Sequence, residues 1–302
     1  MRVDLVEPFY GGSHRAWADG WRAHSRHEIR LSTLPANSWR WRMRGAAVTL
    51  GTELLERASG PDAPELIVAS DMIDLATLAA LTRRTFAAIP LVLYLHENQL
   101  TYPRQPGEGL DRGLAWTTWN NLLVADEVWF NSAVHREELF TALESFLDDV
   151  PDHSHRPLLE SARAETAVLP VGVELSDLDA DRSFPPAPPL ILSNQRWHHD
   201  KDVAAVVRAL IRMADEGHDF RVAVIGEEQG GEAATIGPLL DRLGVRVVAR
   251  GWQPRARYVE MLAEAAIVVS AARNKFFGIG VVEAVASGAI PVLPAALAYP
   301  ET

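Results

Sequence analysis

The feature that most constrains this chain is an alternation, run through twice, of short strand-like apolar segments with longer helical ones. In the first series the strand-like segments are RVDLVEPFY at the N-terminus, ELIVAS (65–70), IPLVLYLH (89–96), EVWFNS (127–132) and TAVLPV (166–171). A glycine turn follows the first of these, and a helix is expected over 14–30. Strands that alternate with helices imply a parallel sheet covered on both faces, because each crossover must travel back over the sheet before the next strand begins.

From residue 174 the chain turns polar and then proline-rich, ending in FPPAPPL (184–190). Prolines cannot pair inside a sheet and stiffen the backbone, so a linker is expected there. The second series follows: LILSNQ, a helix over 203–216, FRVAVIGE, a helix near 236–243, VRVVARGW, a helix over 256–265, AIVVSAA, a helix over 281–287, and IPVLP. The expected organisation is an α/β fold with a first domain over 1–175, a linker over 176–189 and a second domain over 190–302. Both domains are doubly wound and Rossmann-like. Ligands of such sheets bind beyond the carboxyl ends of the strands, which directs attention to the residues just after each one.

At 302 residues the chain is long enough for two separate cores. The absence of cysteine excludes disulfides and thiolate metal sites. No apolar run approaches the ~20 residues needed to span a bilayer, and the N-terminus MRVDLVEPFY lacks the regions of a signal peptide. A cytoplasmic protein without a membrane span is expected. The formal net charge is −11, but its distribution is uneven. Residues 13–44 hold seven arginines against Asp19 and Glu28, a local surplus of five positive charges. Only two of the 29 basic residues are lysines, Lys201 and Lys275, and both fall beside candidate chemistry.

In SNQRWHHDKD, Arg196 and Lys201 follow a strand and precede a helix, and two cations beside a helix N-terminus suit a diphosphate. The competing reading is a solvated loop whose cations pair with Asp200 and Asp202. In FFGIGVVEAVASG, Gly278 and Gly280 open a helix with Glu283 in its first turns. Glycines there admit a close ligand, and a carboxylate accepts from ribose hydroxyls. An ordinary helix start explains the same residues. Gly11 and Gly12 after the first strand are by themselves only a tight turn. His96 in LHENQLTYP stands at a strand's carboxyl end, where an imidazole can donate to a sugar hydroxyl or to developing charge, or simply be a satisfied structural residue. WRWRMR interleaves Trp39 and Trp41 with Arg40, Arg42 and Arg44, a mixture suited to phosphate contact and base stacking. Alternatively it is a surface segment with buried tryptophans, its arginines pairing with the acidic region after Glu137. DLDAD (177–181) lies in the linker and reads as solvated charge, so no metal site is expected.

Taken in chain order, these pieces resemble a GT-B glycosyltransferase of the large retaining class, two such domains facing across a cleft. The matching features are Gly11 and Gly12, His96, the Arg196 and Lys201 pair, Gly226, and the FFGIGVVEAVASG segment. More narrowly, EPFYGGSH, WRWRMR, LHENQLTYP, FNS, PDH, RWHHDKD, FFGIGVVEAV and YPE are similar to the tRNA-queuosine mannosyltransferase family across essentially the whole chain. The resemblance implies transfer of mannose from GDP-mannose, held between the domains, to queuosine in tRNA, with retention and without an obligatory metal or other cofactor. It implies that Arg196 and Lys201 hold the donor diphosphate, with Gly226 and Gly278 also in the donor site, and that Glu283 holds the ribose. His96 would meet the sugar, and Gly11 and Gly12 would let the first domain approach the phosphate. Trp39, Arg40, Trp41, Arg42 and Arg44 are the expected tRNA contacts. Alternative functions are a catalytically weak nucleotide- or RNA-binding relative and a GT-B enzyme with a small-molecule acceptor. Two departures stand out. Where the larger class carries a glutamate eight positions before Glu283, this chain has Lys275. Relatives also continue past YPET into helices that cross back onto the first domain, so the chain reads as truncated or as closing its domains differently.

Overall fold

A computed structural model describes residues 1–57, 63–104, 107–178 and 187–301. The chain divides into two compact units, Met1–Gly172 and Val173–Thr302. Most of the expected linker (176–189) falls at 179–186, outside the described residues, as do Asp179 and Asp181 of DLDAD. No helix among the described residues is long and apolar enough to cross a membrane.

The first unit runs β1 (Arg2–Tyr10), α1 (Gly12–His24), β2 (Glu28–Pro35), α2 (Trp39–Arg57), β3 (Leu66–Ser70), α3 (Leu75–Phe86), β4 (Leu91–Leu95), α4 (Arg112–Val124), β5 (Glu127–Phe130), α5 (Ala133–Asp148), α6 (Leu159–Ala164) and β6 (Thr166–Val168). Its sheet has the order β2-β1-β3-β4-β5-β6 with every pair parallel. The strand order reverses between β1 and β3, and the crevice beyond their carboxyl ends is where such sheets bind ligands.

The expected helix over 14–30 is too long. α1 stops at His24, and residues 28–35 form β2, which the sequence reading missed. Ser25 ends the helix, its amide donating to Trp21 and its hydroxyl accepting from the His27 amide at 3.1 Å. β2 is an edge strand in which only Ile29 and Ser32 are buried, so it carries too little apolar signal to announce itself. It is fixed instead by polarity. Arg30 sits opposite Asp4 in the β1–β2 register and donates to it at 2.8 Å, compensating a buried carboxylate whose pKa burial pushes up.

The second unit runs β7 (Leu190–Asn194), α7 (Val203–Asp215), β8 (Arg221–Ile225), α8 (Ala233–Leu243), β9 (Val247–Gly251), α9 (Arg255–Glu264), β10 (Ala265–Val269), α10 (Ile279–Ala286) and β11 (Ile290–Val292). The sheet order is β11-β10-β7-β8-β9, all parallel, with the switch point between β7 and β10. Successive strand residues face opposite sides. Ile191, Val222 and Val224 pack with Val207, Leu210 and Leu240, whereas Leu192, Ala223 and Ile225 pack with Leu262, Val281 and Ala284. Each buried leucine or valine contributes about 1.5–3 kcal/mol through the water it no longer meets, and this two-sided burial holds the ends of β7 and β10 in place.

Candidate active site

In the first unit the sequence brings an acidic, histidine-bearing cluster to the switch point. Gly11 follows β1 so closely against the neighbouring loop that a Cβ there would lie 2.4 Å from that of Ala36. Gly12 starts α1 at φ +51°, a conformation that favours glycine. This turn carries His14 back over the end of β1, where its Nδ1 lies 3.1 Å from Glu7 Oε2. Glu7 is fully buried, and its other oxygen accepts from the Phe9 amide at 2.8 Å. Asp71 follows β3, and its Oδ2 accepts from the amide of Glu97, which follows β4. Oδ1 of Asp71 is buried without a hydrogen-bond partner among the described residues.

His96 is packed among rings: its centroid lies 4.2 Å from that of His14, 4.7 Å from Trp17 and 4.8 Å from Tyr94. Burial works against an imidazolium at His14, but the charge and hydrogen bond of Glu7, with Asp71 and Glu97, override it and raise its pKa to about 9. His96 goes the other way. Burial, the His14 charge and His135 depress it well below its ordinary value, so it is neutral, and its buried Nε2 has no partner among the described residues. Burial, with Glu97 and Glu7 adding to it against His14, pushes Asp71 up to about 7. Glu7, His14 and His96 place one potential ligand atom each within 4.8 Å of one another. In the absence of a metal, Glu7 and His14 form an ion pair beside the neutral His96. Asn98, quoted in the same motif, serves the loop: its Oδ1 accepts from the Leu100 and Thr101 amides.

In the second unit Arg196 and Lys201 are both brought to the β7–β10 switch point. The loop after β7 is braced against the loop after β8. The Trp197 amide donates to Glu227 at 2.8 Å, and a Cβ at Gly226 would lie 2.0 Å from the Gln195 carbonyl oxygen. Gly226 is thus required for loop-to-loop approach. Arg196 is exposed on this braced loop, with NH1 3.3 Å from Gln229. Lys201 is buried, donating to Asp200 Oδ2 at 2.5 Å and to the Asn274 carbonyl at 2.9 Å. Burial alone would raise Asp200, but Lys201 and His198, the latter 2.7 Å from Oδ1, hold it below its ordinary value.

Gly278 and Gly280 open α10, as expected. A Cβ at Gly280 would lie 3.1 Å from Asn194 Nδ2, which donates to the Gly280 carbonyl at 2.6 Å, so this glycine seats α10 on the end of β7. Glu283 is buried one turn further, accepting from Arg255 at 2.6 Å and from the Tyr258 hydroxyl at 2.7 Å, while Arg255 also grips Asp177 through two hydrogen bonds. Its carboxylate is thereby fixed in orientation with lone pairs to spare.

WRWRMR forms the first turns of α2 and divides by face. Trp39 packs with Met43, Met72 and Leu114, whereas Trp41 is 64% exposed. Arg40 and Arg44 are exposed one turn apart, Arg40 lying 3.8 Å from Glu108 and over the Trp39 ring. Arg42 is engaged at the surface, donating to the Pro35 carbonyl and to Asn37. Among the described residues, none of these arginines pairs with the acidic region after Glu137. Other charges of the basic stretch are compensated locally: Arg15 and Arg22 by Asp19, and Arg30 by Asp4. The sequence reading missed Glu7, His14 and Asp71; Asp200 it named as a partner of the loop cations, as it is for Lys201. A charged residue inside an apolar strand run was the available signal for Glu7.

Residues 2–173 match the family described as tRNA-queuosine alpha-mannosyltransferase N-terminal, and residues 177–302 match the family described as glycosyl transferases group 1. A tRNA-queuosine alpha-mannosyltransferase of Drosophila melanogaster is 30% identical over 313 residues, covering 98% of this chain and 80% of that protein. Among solved structures, sucrose-phosphate synthase from Thermosynechococcus elongatus aligns with a TM-score of 0.69 at 14% identity, over 99% of this chain and 82% of the other. Anabaena HepE in complex with UDP-glucose gives 0.64 at 16% identity, over 100% and 82%. Two parallel α/β sheets in this arrangement are the GT-B fold, and with the group 1 domain they define a glycosyltransferase. Within that class, the chain belongs to the tRNA-queuosine alpha-mannosyltransferase family.

Proposed function

We propose that this enzyme transfers mannose from GDP-mannose to a hydroxyl of queuosine in cytoplasmic tRNA, with retention at the anomeric carbon and without an obligatory metal. The observation that carries the donor side of this reading is the convergence of Arg196 and Lys201 beyond the ends of β7 and β10. The bond from the sugar C1 to the GDP oxygen breaks, and a bond from C1 to the acceptor oxygen forms. The acceptor proton leaves with the departing phosphate. Negative charge accumulates on the diphosphate as the bond breaks, so preorganised cations there lower the barrier most directly. Glu283, held by Arg255 and Tyr258, receives the ribose hydroxyls. The neutral His96 contacts the sugar, and the exposed Arg40, Trp41 and Arg44 meet tRNA phosphates and bases.

The test is incubation with GDP-mannose and tRNA that contains or lacks queuosine, followed by mass analysis of the nucleosides. A gain of one hexose on queuosine alone, undiminished by a chelator, is the expected result. Transfer to a small molecule but not to tRNA, or activity restored only by manganese, would overturn the reading.

A further inference from the structure

We infer that Lys275 is a third cation of the donor diphosphate site, one that acquires its proton as the diphosphate arrives. The inference rests on the donor reading above and adds to it a residue and a linkage.

The loop that carries Lys275 is laced to the loop that carries Arg196 and Lys201. Lys201 donates to the Asn274 carbonyl at 2.9 Å, the Arg273 amide donates to the Asp200 carbonyl at 2.8 Å, and the Arg273 guanidinium holds Asp202. The Lys275 carbonyl accepts from the Ala298 amide at 3.1 Å. Its stem lies along the start of α10, where Gly278 sits at φ +115° and a Cβ would come within 2.9 Å of Lys275 Cε. A glycine at that position is what lets the lysine occupy the place.

Among the described residues, Nζ of Lys275 makes no hydrogen bond and no ion pair. The charged groups that act on it are Lys201 and Arg196, which repel it, and Asp200, whose two oxygens are already taken by Lys201 and His198. Arg273 is matched by Asp202. An ammonium at this position therefore lacks a counter-ion, and burial together with the two cations lowers its pKa to about 7. Lys201 is balanced by Asp200 whether or not ligand is present. Lys275 is balanced only when an anion enters.

A diphosphate supplies that anion and returns the amine toward the ordinary lysine value of ~10.4. Binding then takes up a proton in the window above the free value. Affinity is insensitive to this group below about pH 7 and weakens as pH rises through that window, approaching about tenfold per unit.

The experiment is calorimetric titration with GDP-mannose, whose diphosphate is esterified at both ends and does not titrate here. It is run at about pH 6 and about pH 8 in pairs of buffers with different ionisation enthalpies. Close to one proton should be taken up at the higher pH and almost none at the lower. Lys275→Met should bind about tenfold more weakly near neutrality, with no uptake. Lys275→Arg, permanently charged, should bind without uptake and without the pH slope. Both variants are checked for native thermal unfolding. Wild-type binding without proton uptake, or equal uptake in both variants, would overturn the assignment. If another nucleoside-diphosphate sugar binds with the same uptake while GDP-mannose does not, the donor identity falls and Lys275 stands. If no such donor binds, both fall.

Discussion

The two sheets present clusters of titrating residues at equivalent places, beyond the strand ends at their switch points, and the clusters have opposite electrostatic character. In the first unit Glu7, Asp71 and Glu97 surround one charged histidine and one neutral one. In the second, Arg196 and Lys201 both act on Lys275, while Asp200 is held by Lys201 and His198. The first is acidic, with one carboxylate, Glu7, paired to His14, and offers carboxylates and a neutral imidazole as hydrogen-bonding groups. The second carries excess positive charge and is poised for an anion. In the proposed function one architecture serves two kinds of recognition, because the doubly wound sheet fixes where a ligand sits and the residues just after each strand decide what it is.

The sharpest way to break this contrast is to remove a cation from the second unit. Arg196→Ala or Lys201→Ala should lower kcat by about 10² to 10³, the loss typical of one preorganised donor to a developing anion. Turnover unchanged in both would place the diphosphate elsewhere.

The pH dependence of stability separates the clusters by sign. His14 has a folded pKa raised from 6.5 to about 9, so its contribution is fully present below about pH 6.5 and is lost as pH rises through about 9. At most this is about 3 kcal/mol, following from the size of the rise. Lys275 is lowered from 10.5 to about 7, so its cost is fully present below about pH 7 and is relieved as pH climbs toward 10.5. Urea unfolding across this range should show the wild type losing its advantage over Glu7→Gln as pH rises. Lys275→Met should start more stable than the wild type and lose that advantage. Parallel slopes for the two variants would erase the distinction.

Much of this was legible in the sequence, and what was not has identifiable causes. Strands with continuous apolar runs, such as β4 and β8, announced themselves, as did helices with a strong apolar stripe such as α7. β2 did not, because its burial is slight and its main anchor is the Arg30–Asp4 pair, which spans 26 residues of sequence. Arg196 and Lys201 were legible because they follow a strand in a chain nearly devoid of lysine. The Glu7–His14 pair was not, since the turn at Gly11 and Gly12 brings it together only in three dimensions. Gly226 was legible as a special residue, but its approach to Gln195 was visible only in the fold.

Gly226→Ala consequently probes the scaffold of the cationic cluster rather than its charge. With a Cβ 2.0 Å from the Gln195 oxygen and φ at +150°, the variant should lose about 2 kcal/mol or more of stability, read from its denaturation midpoint. A midpoint like that of the wild type would show that the two loops separate at little cost.

The smallest expected effect belongs to α2. Removing Arg40 and Arg44 together should make the salt dependence of tRNA affinity shallower by roughly 0.7 to 0.9 for each phosphate no longer neutralised. Arg42→Ala should do less, since its guanidinium is engaged with Pro35 and Asn37. Equal slopes for all variants would remove this face from tRNA recognition.

The most direct test of the contrast between the clusters is equilibrium binding of GDP-mannose to four folded proteins: the wild type, Arg196→Ala, Lys201→Ala and Glu7→Gln. The account predicts that the two second-unit variants bind about tenfold or more weakly while Glu7→Gln binds as the wild type does. Weakened binding in Glu7→Gln, with Arg196→Ala and Lys201→Ala binding like the wild type, would contradict it.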